Sequence, residues 1–217
     1  WLWGAVTVVA LISLRGDKID LSPGFRLIVH FCATIVVIWT GIMEDTVNLL
    51  LFQGNMVIAI FAVVVFLIFI VGTANIYNFM DGINGIAAIT GIVGFSLLAW
   101  YSSKIEPEIS VGIVCISLAF ACLGFLPFNV PNAKVFMGDV GSILLGFVFA
   151  IMVVVLSNSA ADFFALTASL FPFYADEFTT MIVRIKDGEM LSKPHRRHLY
   201  QLLANEMDIA HWKISLG

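Results

Sequence analysis

The sequence predicts an all-α fold: a polytopic transmembrane helical bundle of about seven helices, forming one domain over residues 1–217. Three observations predict it. Hydrophobic residues make up 60% of the chain and charged residues 12%, with a mean hydropathy of +1.01. A soluble domain is roughly half apolar and about a quarter charged. Second, the apolar residues fall in runs close to the ~20 residues that a spanning helix needs. Third, the basic residues separate by connection, as the positive-inside rule requires.

The runs are, in order, the segment up to Leu14, Phe25–Ile42, Asn55–Ile76, Ile83–Ser102, Ile109–Pro127, Gly141–Leu156 and Phe163–Val183. Helices are expected because each satisfies its own backbone hydrogen bonds in lipid. None of the runs alternates with the period of two that a transmembrane barrel strand shows. The chain opens at Trp1 inside an apolar run, without a charged leader, and reads as a piece of a longer protein. Trp39, Trp100 and Tyr101 suit interfacial belts. Cys32, Cys115 and Cys122 lie in apolar runs and read as small packing residues, with neither metal spacing nor a disulfide framework.

Of the eleven Lys and Arg residues, Arg15, Lys18, Arg26, Lys134, Arg184, Lys186, Lys193, Arg196, Arg197 and Lys213 fall in or beside one set of connections; only Lys104 falls in the other. The first set is therefore expected to be cytoplasmic. No basic stripe of the kind that nucleic acid needs is present.

The polar constellations collect on the same side. Asp17 and Asp20 lie in the first of these connections, and Asn75, Asn78 and Asp81 at the second. Lys134 and Asp139 lie in the third, and His195, Arg196, Arg197 and His198 in the last. Carboxylates gathered at one face repel one another unless a cation compensates, and hard oxygen ligands beside phosphate suit Mg²⁺. With Lys, Arg and His nearby, the pattern points to phosphoryl transfer from a nucleotide-activated group to a lipid. Gly82, Gly85, Gly138 and Gly141 flank the aspartates, and a helix starting after Gly82 or Gly141 is expected to aim its N–H groups at an anion. Asn75 and Asn78, one turn apart, are expected to address one ligand.

Other readings of the same residues stand beside this one. Asp81, Asn84 and Asp139 also suit helix caps. The loop holding His195 and His198 also suits lipid headgroups. Asp176, inside the last run, points to function because intramembrane carboxylates are costly. With the glycine-broken helices it would also suit an ion or proton transporter. A non-catalytic membrane scaffold is a third class.

Asn75-Ile-Tyr-Asn-Phe-Met-Asp-Gly-Ile-Asn-Gly-Ile-Ala87, Ala133-Lys-Val-Phe-Met-Gly-Asp-Val-Gly-Ser142 and His195-Arg-Arg-His-Leu-Tyr-Gln201 together resemble the signatures of glycosyltransferase family 4, the polyprenyl-phosphate N-acetylhexosamine-1-phosphate transferases. The resemblance covers nearly the whole chain and implies a membrane catalytic domain with further helices beyond these residues. It implies transfer of N-acetylhexosamine-1-phosphate from a UDP-sugar to undecaprenyl phosphate, with release of UMP and with Mg²⁺ as cofactor. The site would face the cytoplasm from a bacterial inner membrane. By motif position, Asp139 and Asp81 are the implied metal ligands, and Asp81, Asp17, His195 and His198 the catalytic candidates. Asn75, Asn78, Lys134, Arg196 and Arg197 are the implied substrate contacts. The His195–Gln201 loop resembles the branch that starts O-antigen and related polysaccharides; the alternative is the phospho-N-acetylmuramoyl-pentapeptide branch. One departure is present: the family usually has two adjacent aspartates where this chain has Gly16-Asp17, with Asp20 three residues on as a substitute.

Overall fold

The computed structural model describes residues 2–19, 21–40, 56–104, 109–190 and 195–216. Asp20, Lys193 and the connection over 43–54, on which the sequence reading also drew, lie outside these. The described residues form α1 (Leu2–Lys18), α2 (Pro23–Trp39), α3 (Met56–Met80), α4 (Ile86–Ser102), α5 (Ile109–Asn129) and α6 (Gly138–Leu156). They continue as α7 (Ala160–Thr167), a 3₁₀ turn (Ala168–Leu170), α8 (Phe171–Lys186), α9 (Leu199–Asn205) and α10 (His211–Leu216). No strand occurs among the described residues.

Helix α6 is the axis of the bundle. Its apolar stretch is 72% buried within the protein, against 39% for α3 and 22% for α5. It packs against α1, α3 and α4, while α5 lies outside α4 and α2 bridges α1 and α3. Ile109, Ile113, Ile116, Phe120 and Leu123 stay exposed along one face of α5, at the spacing of a single helical stripe. An apolar stripe of this kind is suited to lipid. The three helices α3 (over Ile60–Met80), α5 and α6 are long and apolar enough to cross a membrane, and α2 and α4 are shorter apolar helices. The chain is a multi-pass membrane protein.

In lipid, helices associate through close packing of small residues rather than through the hydrophobic effect. Gly146 of α6 shows why. A Cβ there would stand 2.6 Å from Tyr77 Cβ, 2.9 Å from Ala74 Cα and 2.9 Å from the Thr73 carbonyl oxygen. Two of those atoms are backbone, so α3 and α6 cross in direct contact. Cys115 and Cys122 are buried free thiols. Cys122 fills the space facing Gly91, its Sγ 2.8 Å from where a Cβ would be, in keeping with the packing role expected.

The last predicted span is broken. Where the sequence suggests one helix over 163–183, the chain forms α7, the 3₁₀ turn and α8. Pro172 sits at the start of α8. It has no N–H to donate and its ring opposes the carbonyl four residues back, which kinks or breaks a helix; here the chain passes into a 3₁₀ turn just before it. Apolar continuity alone conceals the break.

Candidate functional site

Three helix junctions meet at one end of the bundle. The first joins α1 to the start of α6. No side chain of its own caps α6. Instead the Asp17 carboxylate accepts from the backbone N–H of Asp139 (3.1 Å) and of Val140 (3.3 Å). Gly138 makes this possible: its φ is +66°, and a Cβ would stand 2.8 Å from Asp17 Oδ2. The helix therefore begins at Gly138, three residues before the expected start, and its first N–H groups are already taken by Asp17. The N–H groups expected to face an anion from a start after Gly141 thus face one of the protein's own, the Asp17 carboxylate, from a start at Gly138.

Asp139 is held from two sides. Arg26 of α2 pairs with its Oδ2, and Asn78 Nδ2 donates to Oδ1 at 2.8 Å. Asn78 also donates to Ser142 Oγ at 2.9 Å, so α3 is fixed to the first turn of α6. Beside them lies a cavity of about 250 Å³ lined by Asn78, Asp81, Asn84, Asn129 and Asp139, among others. Burial, and then the nearby Asp139, push the Asp81 carboxyl up to about 7. The two carboxylates thus share one polar cavity, as their motifs imply.

Asn75 does not join them. Its side chain donates to the Val71 carbonyl of its own helix at 2.7 Å, and it does not line the cavity. Lys134 is exposed on the connection before α6 and is likewise absent from the cavity wall. Asn129 was not anticipated. Its Oδ1 accepts from Gly85 N–H at 2.5 Å and its Nδ2 donates to the Val135 carbonyl at 2.9 Å. Asn84 adds a bond to the Pro131 carbonyl at 3.0 Å. A lone amide at the end of an apolar run, followed by Val130-Pro131, was the one available signal for Asn129.

The histidine loop forms a second compartment. His198 is buried, with Nδ1 3.5 Å from Asp176 and Nε2 3.5 Å from Glu177. Tyr200 stacks on its ring at 5.6 Å. Asp176 also accepts from the N–H of Leu199 (2.9 Å) and Tyr200 (3.4 Å), so this carboxylate holds the start of α9. His195 lies against His198, ring centroids 4.8 Å apart. Burial, then the Arg184 charge, lower its pKa below the usual histidine range. Arg197 is paired with Asp187 at 2.5 Å and Glu189 at 2.9 Å. Arg196 and Arg197 reach the wall of a groove of about 970 Å³. Its floor is largely apolar, with Met80, Ile86, Phe173 and Leu203 among its residues.

The two compartments adjoin at Tyr200, which packs on Gly82, and at Asn84, whose N–H donates to His211 Nδ1 at 3.4 Å and whose carbonyl accepts from Ser215 Oγ at 2.8 Å. Tyr200 approaches Gly82 so closely that a Cβ there would stand 2.2 Å from the phenol oxygen. Asp81 and Asp139 line the smaller cavity, and Arg196, Arg197 and Tyr200 line the groove. Among the described residues no three His, Cys, Asp or Glu side chains converge as a metal cage. Mg²⁺ does not need one, since it commonly takes one or two carboxylates and completes its shell with waters and phosphate. Two carboxylates in one cavity, one of them resisting ionisation, fit such an ion.

A family profile described as Glycosyl transferase family 4 matches residues 1–157. The phospho-N-acetylmuramoyl-pentapeptide-transferases of Staphylococcus aureus strains JH9, Newman and JH1 are similar to this chain. Each is 44% identical over 72 residues, which cover 33% of this chain and 22% of the relative.

Proposed function

Because the chain belongs to glycosyl transferase family 4, we propose that it transfers a sugar-1-phosphate from a UDP-linked donor to a polyprenyl phosphate in the membrane. The observation that carries this reading is the pair Asp81 and Asp139, sharing a polar cavity at one bundle end beside a long apolar groove. The cavity suits the diphosphate, and the groove suits a prenyl chain. The similar pentapeptide transferases favour phospho-N-acetylmuramoyl-pentapeptide as the transferred group. They thereby favour the peptidoglycan branch over the surface-polysaccharide branch suggested by the His195–Gln201 loop.

In this mechanism an oxygen of the lipid phosphate attacks the sugar-bearing phosphorus in line. The new P–O bond forms as the bond to the UMP oxygen breaks. A phosphate monoester is already mostly ionised near neutral pH, so no strong base is required. Asp81 and Asp139 would hold Mg²⁺, which when bound neutralises the diphosphate oxygens. Asn78 orients Asp139, and Asp17 acts by fixing the first turn of α6. Arg196, at the edge of the groove, would meet the charge of the departing nucleotide, and His195, whose pKa is lowered by burial, would offer it a hydrogen bond. The site faces the cytoplasm of a bacterial inner membrane, as the Lys and Arg distribution suggests.

The test is UMP release by the full-length protein with undecaprenyl phosphate, Mg²⁺ and a panel of donors. The panel comprises UDP-N-acetylmuramoyl-pentapeptide and the UDP-N-acetylhexosamines. Turnover with the first alone supports the branch assigned here, and turnover with a simple hexosamine donor restores the other. Ion flux without UMP release from any donor would favour a transporter and remove the reading.

A further inference from the structure

Arg26 lies in the first turn of α2, where a cation meets the positive end of the helix dipole and gains from a nearby anion. That anion is Asp139; no other carboxylate pairs with Arg26 among the described residues. Asp139 is therefore occupied at both oxygens, by a guanidinium on Oδ2 and by the Asn78 amide on Oδ1. The Arg26 side chain passes directly over Gly16. A Cβ at that position would stand 3.3 Å from Arg26 Cδ and 3.4 Å from Nη1. A carboxylate at position 16 would be placed to draw the guanidinium to itself.

We infer that Arg26 is an internal stand-in for the divalent cation at Asp139, and that Gly16 keeps its path to that carboxylate clear. The inference rests on the reading of Asp139 as a metal ligand. A guanidinium on the same oxygen takes one of its lone pairs and repels an incoming divalent ion, so the two cations compete for that acceptor. Metal entry therefore loosens the Arg26 pair. Its freed fork remains near the cavity where the diphosphate would lie, and guanidinium suits phosphate oxygens. Arg26 is thus a positioning residue whose partner changes between the metal-free and metal-bound forms.

The experiment measures Mn²⁺ binding to the full-length protein in nanodiscs, without donor or acceptor, from the electron paramagnetic resonance signal of free Mn²⁺. Arg26→Gln removes the competitor and is expected to tighten binding about tenfold, the scale of one hydrogen bond to a charged group. Gly16→Asp keeps Arg26 but diverts it, and is expected to tighten binding to a similar degree. The two changes should not add: the double variant should bind no tighter than Arg26→Gln. Unchanged or weaker binding in Arg26→Gln would overturn the inference, since Arg26 would then merely order Asp139. An additive double variant would overturn it too, because the introduced carboxylate would be ligating the ion by itself. Asp139→Asn separates the two levels of the argument. Binding that depends on Asp139 but is indifferent to Arg26 removes only this inference. Binding indifferent to Asp139 removes the metal assignment beneath it.

Discussion

The Tyr200 hydroxyl donates to the Phe79 carbonyl at 2.9 Å, and this one bond ties the histidine loop to the junction that carries Asp81. The residues are 121 positions apart in sequence. The phenol lies so close to Gly82 that neither partner can grow. Tyr200→Phe should cost about 1 kcal/mol, the net value of one such hydrogen bond. Gly82→Ala should cost more, because the added methyl displaces the ring as well as the bond. Thermal unfolding of both variants in the same nanodisc checks the order.

Asp17 separates a positioning role from a proton-transfer role. Its carboxylate caps α6 through two backbone N–H groups. Asp17→Asn keeps an acceptor and should retain most of the turnover. Asp17→Ala should lose about 1 kcal/mol of stability, as lost caps do, and should lower turnover by misplacing Asp139. Equal and severe losses of UMP release in both variants, with unchanged stability, would instead make Asp17 a proton acceptor.

The raised Asp81 carboxyl gives a pH dependence of known sign. Between about pH 4, the ordinary carboxylate value, and about 7, the folded protein holds a proton that the unfolded chain has lost. Stability from this group is therefore fully present below the ordinary value, falls as pH rises, and is lost once pH passes about 7. With chelator present, the unfolding midpoint of the wild type should fall relative to that of Asp81→Asn over this window and run parallel above it. Mg²⁺ should stabilise the wild type more at pH 8 than at pH 6, because the proton competes for the same oxygens.

The two histidines should divide cleanly. His198 is enclosed by Asp176, Glu177 and Tyr200. His198→Ala leaves two buried carboxylates facing an empty space and should cost about 2 kcal/mol. His195 has no such socket, so His195→Ala should leave the unfolding midpoint nearly unchanged while lowering turnover. Comparable stability losses in both would refute the division.

Much of the floor of the site was legible from residue type and spacing. Asn78, Asp81 and Asp139 stand out because polar groups at the ends of apolar runs have few bland uses, and all three converge as expected. Asn75 shares their periodicity, but its amide turns back to its own helix, an outcome that spacing does not encode. Arg26 counted only towards orientation, because its partner lies 113 residues away and the pairing exists only once α2 and α6 adjoin. Asp176 drew attention as a costly carboxylate, yet its bonds to Leu199 and Tyr200 exist only once the start of α9 folds back onto α8, which local spacing does not encode. The motifs pointed to the family, while the similarity over 72 residues is to pentapeptide transferases, the alternative branch.

The bare crossing at Gly146 makes one stiff seam of the two helices that carry Asn78 and Asp139. With backbone against backbone, α3 and α6 cannot slide or part without tearing several contacts at once, so the aspartate-bearing base keeps its shape through turnover. The segment from His195 onward is tied to that seam's edge by Tyr200 at Phe79 and by His211 and Ser215 at Asn84.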